Sequence, residues 1–164
     1  NINPFKLAKS LGVPLLTAFS TASSAATLPI TMDALENKTG VSKKVSSFVL
    51  PLGSTINMDG TALYECVAVL FIAQAFGLSL TLEQQLIVIA AAFLISISAA
   101  GVPMSGLVMM GLILNRIGLP AEGVGMILAV DRILDMCRTS INVWSDACIA
   151  SMVAVSNGEK LKLK

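Results

Sequence analysis

The stretch AVDRILDMCRTSINVWSDACIA, residues 129–150, places three aspartates, two arginines and an asparagine in an otherwise apolar region. Asp131, Asp135, Arg138, Asn142 and Asp146 follow one another at intervals of four, three, four and four residues. At about 100° per residue they fall within an arc of about 80° on one helix face, and at 1.5 Å per residue they extend over roughly 22 Å. Ile133, Leu134, Ile141, Val143 and Trp144 fill the remainder. The spacing predicts an apolar helix with one charged seam. A charge at the centre of a bilayer costs about 2.5–3.5 kcal/mol even on the lenient insertion scale. Such a seam has to be compensated by its own members, by ions or by a ligand.

The rest of the 164-residue chain fits a bilayer setting. It is 55% hydrophobic and 13% charged, against roughly 25% charged in soluble domains, with a mean hydropathy of +0.82. Lysines cluster at Lys6 and Lys9, at Lys38, Lys43 and Lys44, and in the tail EKLKLK. A net charge of +1 gives no basis for nucleic-acid binding, and the absence of histidine excludes His-based metal sites and catalytic triads. Cys66, Cys137 and Cys148 are odd in number, lie in apolar runs and lack ligand spacing, so they are expected to be buried thiols. The opening NINPFKLAKSLG is unlike a signal peptide and is expected to be the middle of something longer.

A simple spanning helix needs about 20 apolar residues, and few windows here are that clean. Leu11 to Phe19 contains Pro14, meets the small polar run STASSAAT and leads back to lysines. With lysines on both flanks, residues 5–40 read as a re-entrant hairpin whose ends are cytoplasmic. Residues 48–76 are long enough to cross, but Asn57, Asp59 and Gly60 interrupt them, predicting two half-helices joined by an unwound NMDGT. Residues 85–117 are broken by SISAAGVPMSG and flanked by lysine-free loops, predicting a second re-entrant hairpin from the opposite face. Residues 124–155 form the last spanning helix, returning to a cytoplasmic lysine-rich tail. The expected fold is therefore an all-α, multi-pass membrane protein built as an inverted repeat. Broken elements meeting near the midplane mark secondary transporters. Ordinary spans with scattered breakers are the competing reading.

Within the seam, Arg138 can bind a carboxylate bidentately, and Asp135 one turn earlier can hold an ammonium. The pair suits a zwitterion with an additional acidic group. Asn142 and Asp146 supply oxygen ligands for a hard cation such as Na⁺. An internal Asp135–Arg138 salt bridge that only fixes packing is the alternative, and Asp131 reads as structural.

The motifs SSAATLP, LPLGSTINMDGTALYE, SISAAGVP and DMCRTSINVWSD, in this order, closely resemble the sodium-coupled glutamate/aspartate symporters and cover essentially the whole chain. The resemblance implies the C-terminal core of a moving transport domain, without the upstream helices and trimeric scaffold, in the plasma membrane. It implies that Arg138 binds the substrate's side-chain carboxylate with Thr61 assisting, and that Asp135 takes the α-amino group. Thr139 and Asn142 would add polar contacts, and Ser24, Val102 and Gly106 would close around the ligand. One sodium would be held by Asp146 and carbonyls of Gly53, Asn57 and Asn142. A second would lie among carbonyls of Thr55, Ser96, Ile97 and Ala99, with Asp59 and the Asn57 side chain contributing to a third.

Two departures stand out. Family members usually carry a further arginine, at the first hairpin tip or directly after the aspartate of the last helix; Ala22 and Met136 fill those places here. Arg132, one turn from Met136, is the candidate substitute. Glu65 follows NMDGTALY, and because low dielectric disfavours a charged carboxylate, it is read as a proton-coupling residue. Rival readings are an ion channel lined by the same stripe, a dicarboxylate or neutral amino-acid carrier of the same fold, and an intramembrane aspartyl protease. The last is disfavoured by Arg138 beside Asp135 and by the lack of a GxGD-like element.

Overall fold

The computed structural model describes residues 2–98 and 105–163, and these are all-helical with no strand. Helix α1 (Pro4–Ser10) starts where the Asn3 side chain accepts the Phe5 and Lys6 amides, with Pro4 at the first helical position. Helix α2 (Gly12–Thr21) tolerates Pro14 because its first turn has no intrahelical use for that N–H. The chain reverses at Ala22, which takes the left-handed conformation at φ 51°, and Ser23 then caps α3 (Ser24–Ala34). A π-helical turn over Leu35–Thr39 ends at Gly40. Helices α2 and α3 thus pack as two helices on either side of the reversal at Ala22.

The interrupted element is α4 (Lys43–Ile56) followed by α5 (Asp59–Ala75). The break is shorter than expected. Only Asn57 and Met58 leave the helix, whereas Asp59, Gly60 and Thr61 form the first turn of α5. One reason is local and one tertiary: an aspartate suits a helix N-terminus, and the Gly60 N–H donates to Asn142 Oδ1 at 2.8 Å. Helices α6 (Leu82–Ser98) and α7 (Ser105–Arg116) follow, and the tip between them, with Ala99 and Val102, lies outside the described residues. A short 3-10 turn, Ala121–Gly123, leads into α8 (Val124–Ser156), 33 residues long.

Helix α8 is the mast. At its N-terminal half Ile127 joins Val69, Ile72, Val88, Met110 and Ile113 in one apolar cluster. At its C-terminal half Ala147, Ala150 and Ala154 pack with Leu7, Leu11, Leu35, Val45 and Leu50 in another. The charged seam lies between the two. All five of its side chains are buried, with exposures of 2% to 5%, while Ile133, Ile141, Leu63, Val67, Phe71, Leu94 and other large apolar residues face outward. Charge inside and hydrocarbon outside is the reverse of a water-soluble helix bundle. The run Lys43–Ala75 is long and apolar enough to cross a membrane.

The thiols depart from expectation: Cys137 is exposed and Cys66 and Cys148 are partly so. Cys137 shares the outer stripe of α8 with Ile133 and Ile141; an apolar run in a membrane chain marks contact with hydrocarbon or neighbouring protein as readily as a core.

Residues 159–163 of the tail form a strap. Leu161 and Leu163 pack on the second cluster while Lys160 and Lys162 point outward, the period-two alternation of extended backbone. The Lys162 N–H donates to Thr39 O at 2.7 Å, and Glu159 accepts from the Ser42 N–H at 2.9 Å and Ser42 Oγ at 2.6 Å. These two bonds hold the Glu159 carboxyl below its usual range. A depressed value means that the anchorage is complete above the unfolded value of about 4.3 and is lost as pH falls through the lower folded value. Glu159→Ala is expected to accelerate amide hydrogen exchange at Lys162 at neutral pH, and acidification below about pH 4 to do the same in the unaltered chain.

Candidate functional site

The site is built where the break between α4 and α5 meets the seam of α8. A helix break leaves amides and carbonyls that hydrocarbon cannot satisfy, so they must find partners in protein or in a lined cavity. Asn142 is the principal partner. Its Oδ1 accepts from Gly60 N, and its Nδ2 lies 3.2 Å from both Thr61 Oγ1 and Met58 Sδ. One turn on, Asn57 Nδ2 donates to Asp146 Oδ1 at 2.9 Å and to Ser145 Oγ at 3.0 Å, and Ser145 Oγ donates to Asp59 Oδ2 at 2.5 Å. The backbones are pressed together. A Cβ on Gly53 would sit 2.4 Å from Asp146 Oδ1, and one on Gly60 would sit 2.4 Å from the Arg138 carbonyl.

Arg138 occupies the middle of the seam. Its Nη2 donates to Asp135 Oδ1, forming the internal salt bridge that the sequence left as an alternative. Thr139 Oγ1 lies 3.5 Å from the same oxygen. The pair does not exhaust the guanidinium: Nε and Nη1 are buried with no hydrogen-bond partner. Its carbon stands 5.8 Å from the centre of the Tyr64 ring, within cation–π range. A Cβ on Gly106 would come within 2.6 Å of Nη1, so the N-terminal turn of α7 lies directly over the free donors. An open groove of about 390 Å³ on the outer face between α5 and α8 reaches Arg138, walled mostly by apolar residues including Leu63, Val67, Phe71 and Val130.

Residues 53, 57, 59, 61, 106, 135, 138, 139, 142 and 146 of the expected set therefore converge along this joint. Others do not join it. Ser24 is buried at the start of α3, Thr55 donates to Leu52 O, and Ser96 donates to Phe93 O. Among the described residues, no hydrogen bond links Ser24, Thr55, Ser96 or Ile97 to the seam. Asp131 accepts from Tyr64 OH at 2.5 Å, in keeping with a structural role. Arg132 is exposed and forms no ion pair among the described residues. Glu65 is fully buried, and both its carboxylate oxygens lack partners. No group of three or more His, Cys, Asp or Glu side chains gathers among the described residues. A cation here would have to take carbonyl and amide oxygens beside Asp146.

Tyr64, Met58 and Ser145 escaped the sequence reading. Tyr64 had a signal, since it lies three residues after Thr61 on the same face of α5. Ser145 bridges two elements 86 residues apart in sequence, which no local pattern reveals.

This lipophilic all-helical chain buries a half-satisfied guanidinium beside a broken helix. The chain matches the sodium:dicarboxylate symporter family over residues 1–156 and belongs to that family. It is 53% identical over 151 residues to an excitatory amino acid transporter of Caenorhabditis elegans, covering 92% of this chain and 30% of that protein. It is 52% identical over 145 residues to excitatory amino acid transporter 3 of Mus musculus and 51% identical over 145 residues to that of Homo sapiens; each match covers 88% of this chain and 28% of the relative. The chain thus spans less than a third of the length of these relatives. The family and these relatives are transporters, not enzymes.

The close approach at Gly60 gives a direct check. Gly60→Ala is expected to destabilise the fold by about 1–3 kcal/mol, because the carbonyl it would strike is backbone and cannot swing away. Gly125→Ala, with nothing within 4 Å of the new methyl, is expected to leave the melting temperature unchanged or raise it.

Proposed function

We propose that these residues form the substrate- and ion-binding core of a secondary active transporter that couples sodium to uptake of an acidic amino acid by alternating access. The observation that carries the proposal is the pair of unpartnered donors on Arg138. A buried donor left unmet costs about 1–3 kcal/mol, more when charged. A carboxylate arriving at Nε and Nη1 would recover that cost through two parallel hydrogen bonds.

The Asp135–Arg138 pair supports a zwitterionic substrate. A side-chain carboxylate binds the guanidinium with Thr61 assisting, and the α-ammonium takes Asp135, so neither buried charge is left alone. Thr139 and Asn142 complete the polar contacts. Gly106 admits the ligand beside Arg138 because a side chain there would occupy its space. Ser24 and Val102 close the hairpin tips, the second hairpin serving as the outer gate. Both hairpins are re-entrant in this reading, and the lysine-rich end faces the cytoplasm of a cell whose plasma membrane the protein spans. The complete protein assembles as a trimer through a scaffold contributed by other residues.

Sodium is the driving cargo. Asp146 with carbonyls of Gly53, Asn57 and Asn142 holds one ion; Thr55, Ser96, Ile97 and Ala99 hold a second; Asp59 and Asn57 contribute to a third. Each net charge moved through 100 mV supplies about 2.3 kcal/mol. Ions order the segment around Asn57 and Met58, and the ordered joint sets Asn142 and Thr61 for substrate. Glu65 carries the coupled proton.

Radiolabelled aspartate and glutamate uptake by the complete protein in liposomes tests this reading: uptake is expected to require an inward sodium gradient, and gradient-independent uptake would overturn it. Arg138→Cys is expected to lower acidic-substrate uptake at least about a hundredfold, the scale of about 3 kcal/mol for a buried charge-assisted pair, and to admit serine or alanine instead. Glu65→Gln is expected to flatten the pH dependence of uptake, and an unchanged profile would remove Glu65 from the mechanism.

A further inference from the structure

All eight lysines of the chain lie within residues 6–44 and 160–164, and none occurs between. The strap brings residues 159–163 against the loop at Thr39 and Ser42, beside Lys43 and Lys44. Lys162 N–H is bonded to Thr39 O, and Glu159 is bonded to Ser42. Two grooves flank the strap. Lys6 and Lys160 border one of about 470 Å³ with Ile2, Leu161 and Leu163 in its walls. Lys44 borders the other, about 600 Å³, walled by Phe48, Val49 and Val153. Glu159 is common to both grooves, but its two oxygens are engaged by Ser42. Lys6, Lys44 and Lys160 are exposed and form no ion pair among the described residues.

We propose that this end of the protein binds an anionic phospholipid, its phosphate drawn by the lysines that border the two grooves, Lys44 on one and Lys6 and Lys160 on the other, with an acyl chain laid along Phe48, Val49 and Val153. Charge complementarity selects the occupant. The grooves combine unneutralised ammonium groups with apolar walls, and neither a soluble anion nor a neutral lipid uses both. The depth also fits. Lys44 and Phe48 are one helical turn apart on the same face, so the ring lies about 6 Å inward from the ammonium-bearing residue. That is the step from headgroup to the start of the acyl region. Phe48 is 71% exposed in this chain and offers an acyl chain an apolar surface beside Lys44. Lysine side chains lie their stems on apolar surface and lift their charges to the interface, and each adds roughly 1 kcal/mol of attraction to an anionic leaflet.

The test uses the full-length transporter that contains these residues, in detergent with phosphatidylcholine and about 20% phosphatidylglycerol, without sodium or substrate. Retained phosphatidylglycerol is counted by native mass spectrometry. The triple variant Lys6→Gln, Lys44→Gln, Lys160→Gln is expected to retain at least about tenfold less, from three lysines at roughly fivefold each with partial compensation. The corresponding triple arginine variant is expected to retain the lipid, and Phe48→Ser to lose it. Lys9→Gln with Lys38→Gln, outside both grooves, is expected to change nothing. The single variants Lys44→Gln and Lys160→Gln, each expected to weaken retention, decide the matter if the triple variant does not fold. Full retention by the glutamine variants overturns the proposal, as does equal loss from the Lys9/Lys38 variant. Displacement by glycerol phosphate would show a bare phosphate site and also overturn it. Because sodium and substrate are absent, failure here leaves the transport reading untouched.

Discussion

Asn142 holds the structure at its weakest point. The chain is interrupted at Asn57 and Met58 in the middle of an apolar span, where an unpaired amide has no water to turn to. The Asn142 side chain accepts the Gly60 N–H and donates toward Thr61 and Met58. One carboxamide therefore satisfies the broken backbone and ties α5 to α8. Everything else in the site is positioned relative to that joint: Asp146 through Asn57, Asp59 through Ser145, and Arg138 through the close contact of its carbonyl with Gly60.

Around the joint the molecule is organised as two apolar clusters at the two ends of α8, with the polar seam between them. This arrangement lets each cluster supply stability while the middle remains polar and incompletely satisfied. The incompleteness is local. Asp135 is paired with Arg138, yet Nε and Nη1 of the guanidinium and both oxygens of Glu65 are buried without partners. A structural salt bridge alone would not leave donors stranded next to a glycine that keeps their approach open. At Arg138 the packing salt bridge and the unmet donors occur together, and the proposed recognition rests on the latter.

Much of the architecture was legible because helical periodicity and breakers are local properties. The spacing of Asp131, Asp135, Arg138, Asn142 and Asp146 defined one face of α8, and all five side chains are buried on it. The chain reversal at Ala22 lies in the small polar run that signalled a break, and the interruption of the span begins at Asn57. The same logic overextended the break, because the side chain that lets Gly60 and Thr61 stay helical comes from residue 142. It also buried the cysteines, because apolar composition alone does not separate a core face from an outer one. Arg132 had the right spacing from Met136 and still faces outward.

What the sequence by itself determined is the partition of the chain: which stretches are apolar helices, where they break, and which faces bear charge. These are set by propensity, periodicity and the cost of charge in hydrocarbon, all of which act within about 20 residues. Only the tertiary structure decided the partners. It set Tyr64 against Asp131, Ser145 between Asn57 and Asp59, Gly106 over Arg138, and the Lys–Leu strap on the loop at Thr39 and Ser42. Each of these is a short-range bond or contact between residues far apart in the chain, and its formation depends on how helices settle against one another.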